Sequence, residues 1–449
     1  MKTRKSRRVT ARYQWDRLKV SFWFAPGVMS LGAILLAWSM YWLDGLVPNE
    51  TLQNSHFILS GTPGELRTML VSMAGTVLAT AGVVFTLLTL PLSTVAAQYG
   101  SRLLRVFLGD RTTQLVLGTF VATFVYCLAA ALSIPPANVE PDGPQITATV
   151  GLFLMMGTFG SLILLVQHIS TMLQAPNIAA AAGADLLDVV LAETPGEVRG
   201  GGSPEGGSET QPASLLDEDG YTVRIEQVGY IQYIDPHAMV SLAREQNLVI
   251  RLLRKPGHFV WRNSPVALVW PAFRVDEDLN QEIQDAFRIG SGRTPTQDVT
   301  YAVNQLVEMA VRAMSPAIND PFTAMTCLDH LGEGLALFIQ QGEKSAYYYD
   351  RDNRLRLVLE PVTFADLLDG AFDMLRHASS DNASVLLHML GVIEAIGQET
   401  GAPEARQELL RHARLIQAEG QAGALIDSDR ERIDRRSAVL AELLEPQAS

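Results

Sequence analysis

The chain is poor in cysteine, lacks the common catalytic motifs and, across long stretches of its first half, carries no charge. Its two cysteines, Cys127 and Cys327, lie on opposite sides of the boundary where the uncharged runs stop, so they form neither a disulfide framework nor a Cys/His metal pattern. The histidines His258, His330, His377, His388 and His412 show no metal-ligand spacing of the His-Glu-x-x-His kind. There is no phosphate loop, no Gly-x-Ser-x-Gly elbow and no defensible pair of catalytic carboxylates, so an enzyme is the weakest class of reading and no cofactor or metal is expected. The formal net charge is -13. An acidic body of this kind argues against nucleic acid as a partner, because phosphates demand a basic surface.

The missing charges mark out a membrane domain. From Thr68 to Ser101 there is no Asp, Glu, Lys or Arg, a run longer than the roughly 20 apolar residues that cross a bilayer. Four spans are expected, at about 22–43, 66–97, 114–134 and 146–173, within a transmembrane domain of residues 22–192. Trp23, Trp38, Tyr41 and Trp42 flank the first as interfacial anchors. That first stretch is long enough to span and no small-residue cleavage site closes it, so it does not read as a removable signal. His168, near the cytoplasmic end of span four, could sense pH, but a lone interfacial histidine is usually tolerated there.

Positive charge is just as unevenly placed. In residues 1–20, Lys2, Arg4, Lys5, Arg7, Arg8, Arg12, Arg17 and Lys19 stand against Asp16, and Arg102, Arg105 and Arg111 lie between spans two and three. The loops from Asp44 to Glu65 and from Pro135 to Gln145 contain no Lys or Arg. The positive-inside rule then puts the basic arm of residues 1–21 and both termini in the cytoplasm of a multi-pass inner-membrane protein, with the bilayer as its first partner.

Span two is the feature on which the rest is organised. At heptad spacing Ser72, Gly75, Ala79, Gly82, Thr86, Thr89, Ser93, Ala96 and Gly100 fall on one seam, all of them Gly, Ala, Ser or Thr. Such a seam lets another helix approach closely or leaves room along a pore axis. About half of the surrounding stretch is small, so close packing asks least of the sequence. Pro91 is the expected kink, two turns before the cytoplasmic exit.

After span four, Asn177 to Ala192 reads as an Ala-rich helix. Residues 193–220, with Gly200-Gly201-Gly202, Pro204 and Gly206-Gly207, read as a flexible linker. Short alternating strands between Gly and Pro turns make 221–275 a small β-barrel or sandwich. The order of its strands is similar to that of lipoyl- or biotinyl-carrier modules, but Lys255 adjoins Arg254 and Pro256 rather than standing at an exposed tip, which leaves a structural or docking role. Residues 276–449 read as a helical cytoplasmic domain, with expected helices at 277–289, 296–314, 321–341, 364–378, 383–398, 403–418 and 429–444. One hairpin interrupts it, turning at Asp352-Asn353. Overall the expected class is an α-helical membrane protein with four transmembrane helices, a small β module and a helical domain.

One polar constellation stands out. Arg293, Gln297 and Asp298 precede one helix; Asn319 and Asp320 precede the next, with Pro321 in its first turn. Caps and turns account for much of this. A functional reading has both helix starts converging, their free N–H groups and carboxylates forming a ligand site.

The four spans, the segment from Val83-Val84-Phe85 through Gln98-Tyr99-Gly100-Ser101-Arg102, and Ala313-Met314-Ser315-Pro316-Ala317-Ile318-Asn319-Asp320-Pro321-Phe322-Thr323-Ala324 together resemble a bacterial family of predicted membrane proteins, domain of unknown function twenty-two fifty-four. The resemblance covers almost the whole chain and implies an inner-membrane protein without supplying an activity. Two readings follow. One is a homo-oligomeric channel or transporter-like protein for an ion or small solute, with span two at its axis. The other is a membrane-anchored sensor or scaffold whose cytoplasmic domain binds a ligand or partner.

Overall fold

The structure is a computed structural model that describes residues 24–47, 58–99, 110–134, 144–172, 174–191, 199–200, 220–343 and 345–445. The chain divides into two compact units, Met1–Asn177 and Ile178–Ser449.

The first unit holds the four expected spans as α1 (Phe24–Asp44), α2 (Pro63–Tyr99), α3 (Arg111–Ser133) and α4 (Gln145–Met172). Each is long and apolar enough to cross a membrane. Helix α3 lies at the centre, against α1, α2 and α4. Two apolar clusters hold the four together. Leu70 and Met73 meet Ala37, Tyr126 and Ala130 in one, and Val77 and Val84 meet Phe120 and Leu165 in the other.

Polar groups in this unit tie helix ends to one another. The Asp44 carboxylate at the end of α1 accepts the N–H groups of Ile146 (2.7 Å) and Thr147 (2.8 Å), the orphan donors that open α4. Toward the opposite end of α4, the Asp110 carboxylate caps α3 through Thr113 N–H at 2.7 Å and meets His168 Nε2 at 3.0 Å. Burial pushes the Asp110 carboxyl up, but the Thr113 and His168 contacts outweigh it and leave it below its ordinary range. In the middle, the buried hydroxyls of Thr123 and Thr158 pair at 2.9 Å, and Tyr126 donates to the Thr147 carbonyl at 2.9 Å. His168 is therefore a partner of a helix cap.

The second unit opens with α5 (Ala175–Leu191), of which Ile178 onward belongs to it. The helix is expected within the membrane domain of residues 22–192, whereas its contacts join most of it to the second unit. Close packing explains its place: a Cβ on Gly183 would come within 2.8 Å of the His330 ring, and one on Gly334 within 2.4 Å of Leu186. After β1 (Arg199–Gly200) come β2 (Tyr221–Ile225), β3 (Gly229–Ile234), α6 (Pro236–Glu245), β4 (Val249–Leu252), β5 (Phe259–Val260), β6 (Ser264–Trp270), α7 (Glu277–Asp285) and β7 (Phe287–Gly290). Next are α8 (Val299–Ala313), α9 (Pro321–Gln341), β8 (Tyr347–Tyr349), β9 (Leu355–Val358), α10 (Phe364–Ala378), α11 (Ala383–Glu399), α12 (Pro403–Ala422) and α13 (Asp427–Leu444).

The strands form a six-stranded sheet in the order β1-β8-β9-β4-β6-β2 and a three-stranded sheet in the order β5-β3-β7. Among the described residues, only β4 and β9 pair in parallel. Both sheets, α6 and α7 share one core that includes Val223, Ile231, Met239, Ile250, Val269, Ile283 and Leu357. Strands β7, β8 and β9 come from beyond residue 275. The helix expected over 277–289 stops at Asp285, because Phe287 to Gly290 pairs antiparallel with β3 and buries Phe287. The hairpin is held in the sheet by Arg356, which donates to Asp350 at 2.7 Å and to Asn247 Oδ1 at 2.9 Å. Helices α8 to α13 pack around a second apolar set, with Val303, Leu306, Val307 and Ala310 of α8 buried as their spacing requires.

Candidate functional site

A cavity of about 710 Å³ opens in the second unit, within the range of small-ligand sites. Its floor is apolar: Val189 and Val190 of α5, Leu252, Phe338 of α9, and Leu359 and Val362 after β9. Its polar wall comes from two segments, the turn Arg254–His258 after β4 and the run from Arg293 to Thr300 that leads into α8.

The second segment is laced to β3. Gln297 accepts the Ile234 N–H at 2.9 Å and donates to the Ile234 carbonyl at 3.0 Å, and Gln232 donates to the Gly292 carbonyl at 2.8 Å. Arg293 then reaches Asp298 through Nε and Nη2, both at 2.8 Å, a forked pair of the stronger kind. Asp298 is buried and accepts the Tyr301 N–H at 2.9 Å, so one carboxylate holds the arginine and caps α8.

The turn is anchored to the same strand. Gly257 N–H donates to the Ile231 carbonyl at 2.8 Å and Ile231 N–H to the His258 carbonyl at 2.9 Å. Gly257 has φ +92°, and a Cβ there would lie 2.1 Å from Asp298 Oδ2; both facts require glycine. Arg254 Nε and His258 Nδ1 are buried with no hydrogen-bond partner among the described residues. Burial, then Lys255 and Arg254, push the His258 imidazole below its ordinary range, against Glu360 and Asp298.

Of the expected constellation, Arg293, Gln297 and Asp298 come together at this cavity. Asn319 and Asp320 do not. Asp320 donates its N–H to the Ala313 carbonyl at 2.8 Å, at the far end of α8. Fifteen residues of helix separate the two starts, about 22 Å at the usual rise. There Asp320 caps α9 through Thr323 N–H (3.1 Å) and Oγ1 (2.5 Å), while Asn319 supplies the left-handed turn at φ 49°. Sequence reasoning missed Arg254, His258 and Glu360. The dense run of donors around Pro256-Gly257 was visible, but what faces it is decided by β3.

The seam on α2 is also placed. Ser72, Gly75, Ala79, Gly82, Thr86 and Thr89 are all exposed on this chain, and nothing lies within 4 Å of a Cβ built on Gly75 or Gly82. The hydroxyls of Ser72, Thr86 and Thr89 bond back to the carbonyls of Thr68, Gly82 and Phe85. Packing within the chain uses the other face, with Leu66, Leu70, Met73, Ala74, Val77 and Val84 buried. Close approach is made instead by Gly118, where a Cβ would meet Met29 at 2.5 Å, and by Gly151, where one would meet Leu70 at 2.9 Å. Backbone alone is described for Ser93, Ala96 and Pro91, which lie within α2; Gly100 lies outside the described residues.

A third cluster, Asp369, Asp373 and His412, brings three potential metal-ligand atoms within 4.8 Å of one another. Arg411 already fills it, with Nη2 2.5 Å from Asp369 Oδ1 and 3.1 Å from His412 Nε2. It is an ion-pair network.

Four apolar helices followed by a mixed sheet-and-helix unit define a multi-pass membrane protein. The chain belongs to the family described as Predicted membrane protein (DUF2254), whose model matches residues 19–395. It is similar to an uncharacterized protein of Mycobacterium bovis and to one of Mycobacterium tuberculosis, each 26% identical over 400 residues, covering 86% of this chain and 74% of the relative. No solved structure matches it.

Proposed function

We propose that the protein is a membrane-anchored sensor of the bacterial inner membrane, whose second unit lies in the cytoplasm and binds a small solute. The cavity of about 710 Å³ carries this reading, since it joins an apolar floor to a polar wall whose turn is fixed by backbone bonds. The cytoplasmic placement of both termini rests on the basic arm and on the two loops without Lys or Arg; a carboxyl-terminal reporter active only outside the cytoplasm would contradict it. The solute reading is tested by saturation-transfer NMR on the full chain in nanodiscs, with a panel of small acids, bases and neutral solutes. At least one member gives a signal that Val362→Trp, which fills the cavity, removes. A panel with no such signal sinks the reading.

A second reading concerns α2. Its small-residue face is turned away from the chain's own helices, which favours a homo-oligomer with α2 helices in contact, and in its stronger form a channel or transporter with this face along the axis. Gly82→Leu with Thr86→Leu separates the forms. Loss of assembly supports packing alone, and altered conductance in liposomes with assembly intact supports a pore. No change in either removes the face from function.

A further inference from the structure

The cavity wall offers more donors than the chain uses. Arg254 Nε and His258 Nδ1 are buried without partners among the described residues, and Lys255 lines the same wall. The turn that carries them is fixed: Gly257 and His258 are bonded through their backbones to Ile231, and His258 N–H donates to the Lys255 carbonyl at 3.1 Å. The acids nearby are mostly committed. Asp298 takes both Arg293 bonds and the Tyr301 N–H. Asp366 accepts the Thr363 N–H at 3.0 Å in the capping box that starts α10. Glu360 is the remaining carboxylate in the wall. Basic side chains on a cavity wall, with buried nitrogens left unmet beside them, favour a ligand of opposite charge.

Resting on the solute-binding reading above, we infer that the cavity takes an organic anion: an apolar body on Val189, Val190, Phe338 and Val362, and a single phosphate or carboxylate head on Arg254, Lys255 and His258. Glu360 in the same wall counts against a polyphosphate, whose extra charges it would repel. The forked Arg293–Asp298 pair braces the turn through Gly257 and supplies no free charge.

The test is calorimetric titration of the full chain in phosphatidylcholine nanodiscs with four probes of similar body: phenyl phosphate, benzoate, phenol and benzylammonium. The two anions bind at least about tenfold more tightly than phenol, as expected for a charge-assisted contact. Arg254→Gln, and separately Lys255→Gln, each weaken phenyl phosphate about tenfold and leave phenol unchanged, with melting of each variant measured to confirm its fold. Repeating the titration with phosphatidylglycerol in the disc distinguishes sources. If the anionic lipid displaces phenyl phosphate, the native head belongs to a lipid; if not, to a soluble anion. Equal or tighter binding of phenol or benzylammonium, still sensitive to Val362→Trp, overturns the anion and keeps the solute site. Absence of any Val362→Trp-sensitive binding here and in the wider panel overturns both.

Discussion

In the membrane unit the carboxylates of Asp44 and Asp110 each close a helix start, and Thr123 meets Thr158 across the bundle. In the second unit Asp298 also closes a helix start, but beside it Arg254 and His258 present nitrogens that nothing in the described chain meets. The contrast follows from the two surroundings. In lipid an unmet polar group is expensive, so a polar side chain is kept where it ties one helix to the next. In the second unit, proposed to lie in the cytoplasm, a cavity wall can keep donors for a visitor. Caps are thus common to both units, and what distinguishes the candidate site is the gathering of Arg254, Lys255 and His258 on one wall of a cavity.

That contrast can be broken from several directions. The largest effect is expected from Asp298→Ala, which removes the carboxylate of the forked pair with Arg293 and the cap of α8. Loss of one member of a buried pair costs about 3 kcal/mol, read as a fall in the unfolding midpoint of the second unit, while Asp298→Asn recovers the cap alone. Next is Asp44→Ala in the membrane unit. It removes the acceptor of two α4 N–H groups and costs about 1–2 kcal/mol, measured as a lower melting temperature in nanodiscs. Ligand binding in the second unit should not change.

Asp320→Ala is expected to cost about 1 kcal/mol as a lost cap and to leave titration of the cavity unaltered, because Asp320 sits at the far end of α8. A shift in binding would join Asp320 to the site after all. The smallest effect is with pH. The buried His412 is held below the ordinary imidazole value of 6.5 by burial and by Arg411, against Asp369 and Asp373. The unfolded chain therefore takes up the proton first as pH falls. Stability is level above 6.5 and declines below it, until the folded imidazole also protonates. Unfolding midpoints from about pH 7.5 to about pH 5.5 show this slope, and His412→Gln reduces it to the share that His258, also held below its ordinary range, contributes.

Much of the membrane unit was legible because charge is so strictly excluded from a span. The spans expected at 22–43, 66–97, 114–134 and 146–173 all end within three residues of the helices Phe24–Asp44, Pro63–Tyr99, Arg111–Ser133 and Gln145–Met172. The direction of the α2 seam was not legible. Leu66, Leu70, Met73, Val77 and Val84 repeat at three and four just as the small residues do, and α3 selects between the two faces. The Arg293–Asp298 pair could be read locally, since five residues of loop bring them together. Arg254 and His258 could not, because β3 carries the two segments to one wall from distant parts of the chain. Asn319 and Asp320 looked like the same site only while the length of the helix between them was left out.

Hydrogen–deuterium exchange of the full chain in nanodiscs, with and without phenyl phosphate, puts the cavity to the most direct trial. Protection confined to residues 252–258 and 293–300, and lost in Arg254→Gln, is the expected result. Unchanged exchange in both segments at a saturating concentration, or protection only in α2, would contradict the assignment of the site to this cavity.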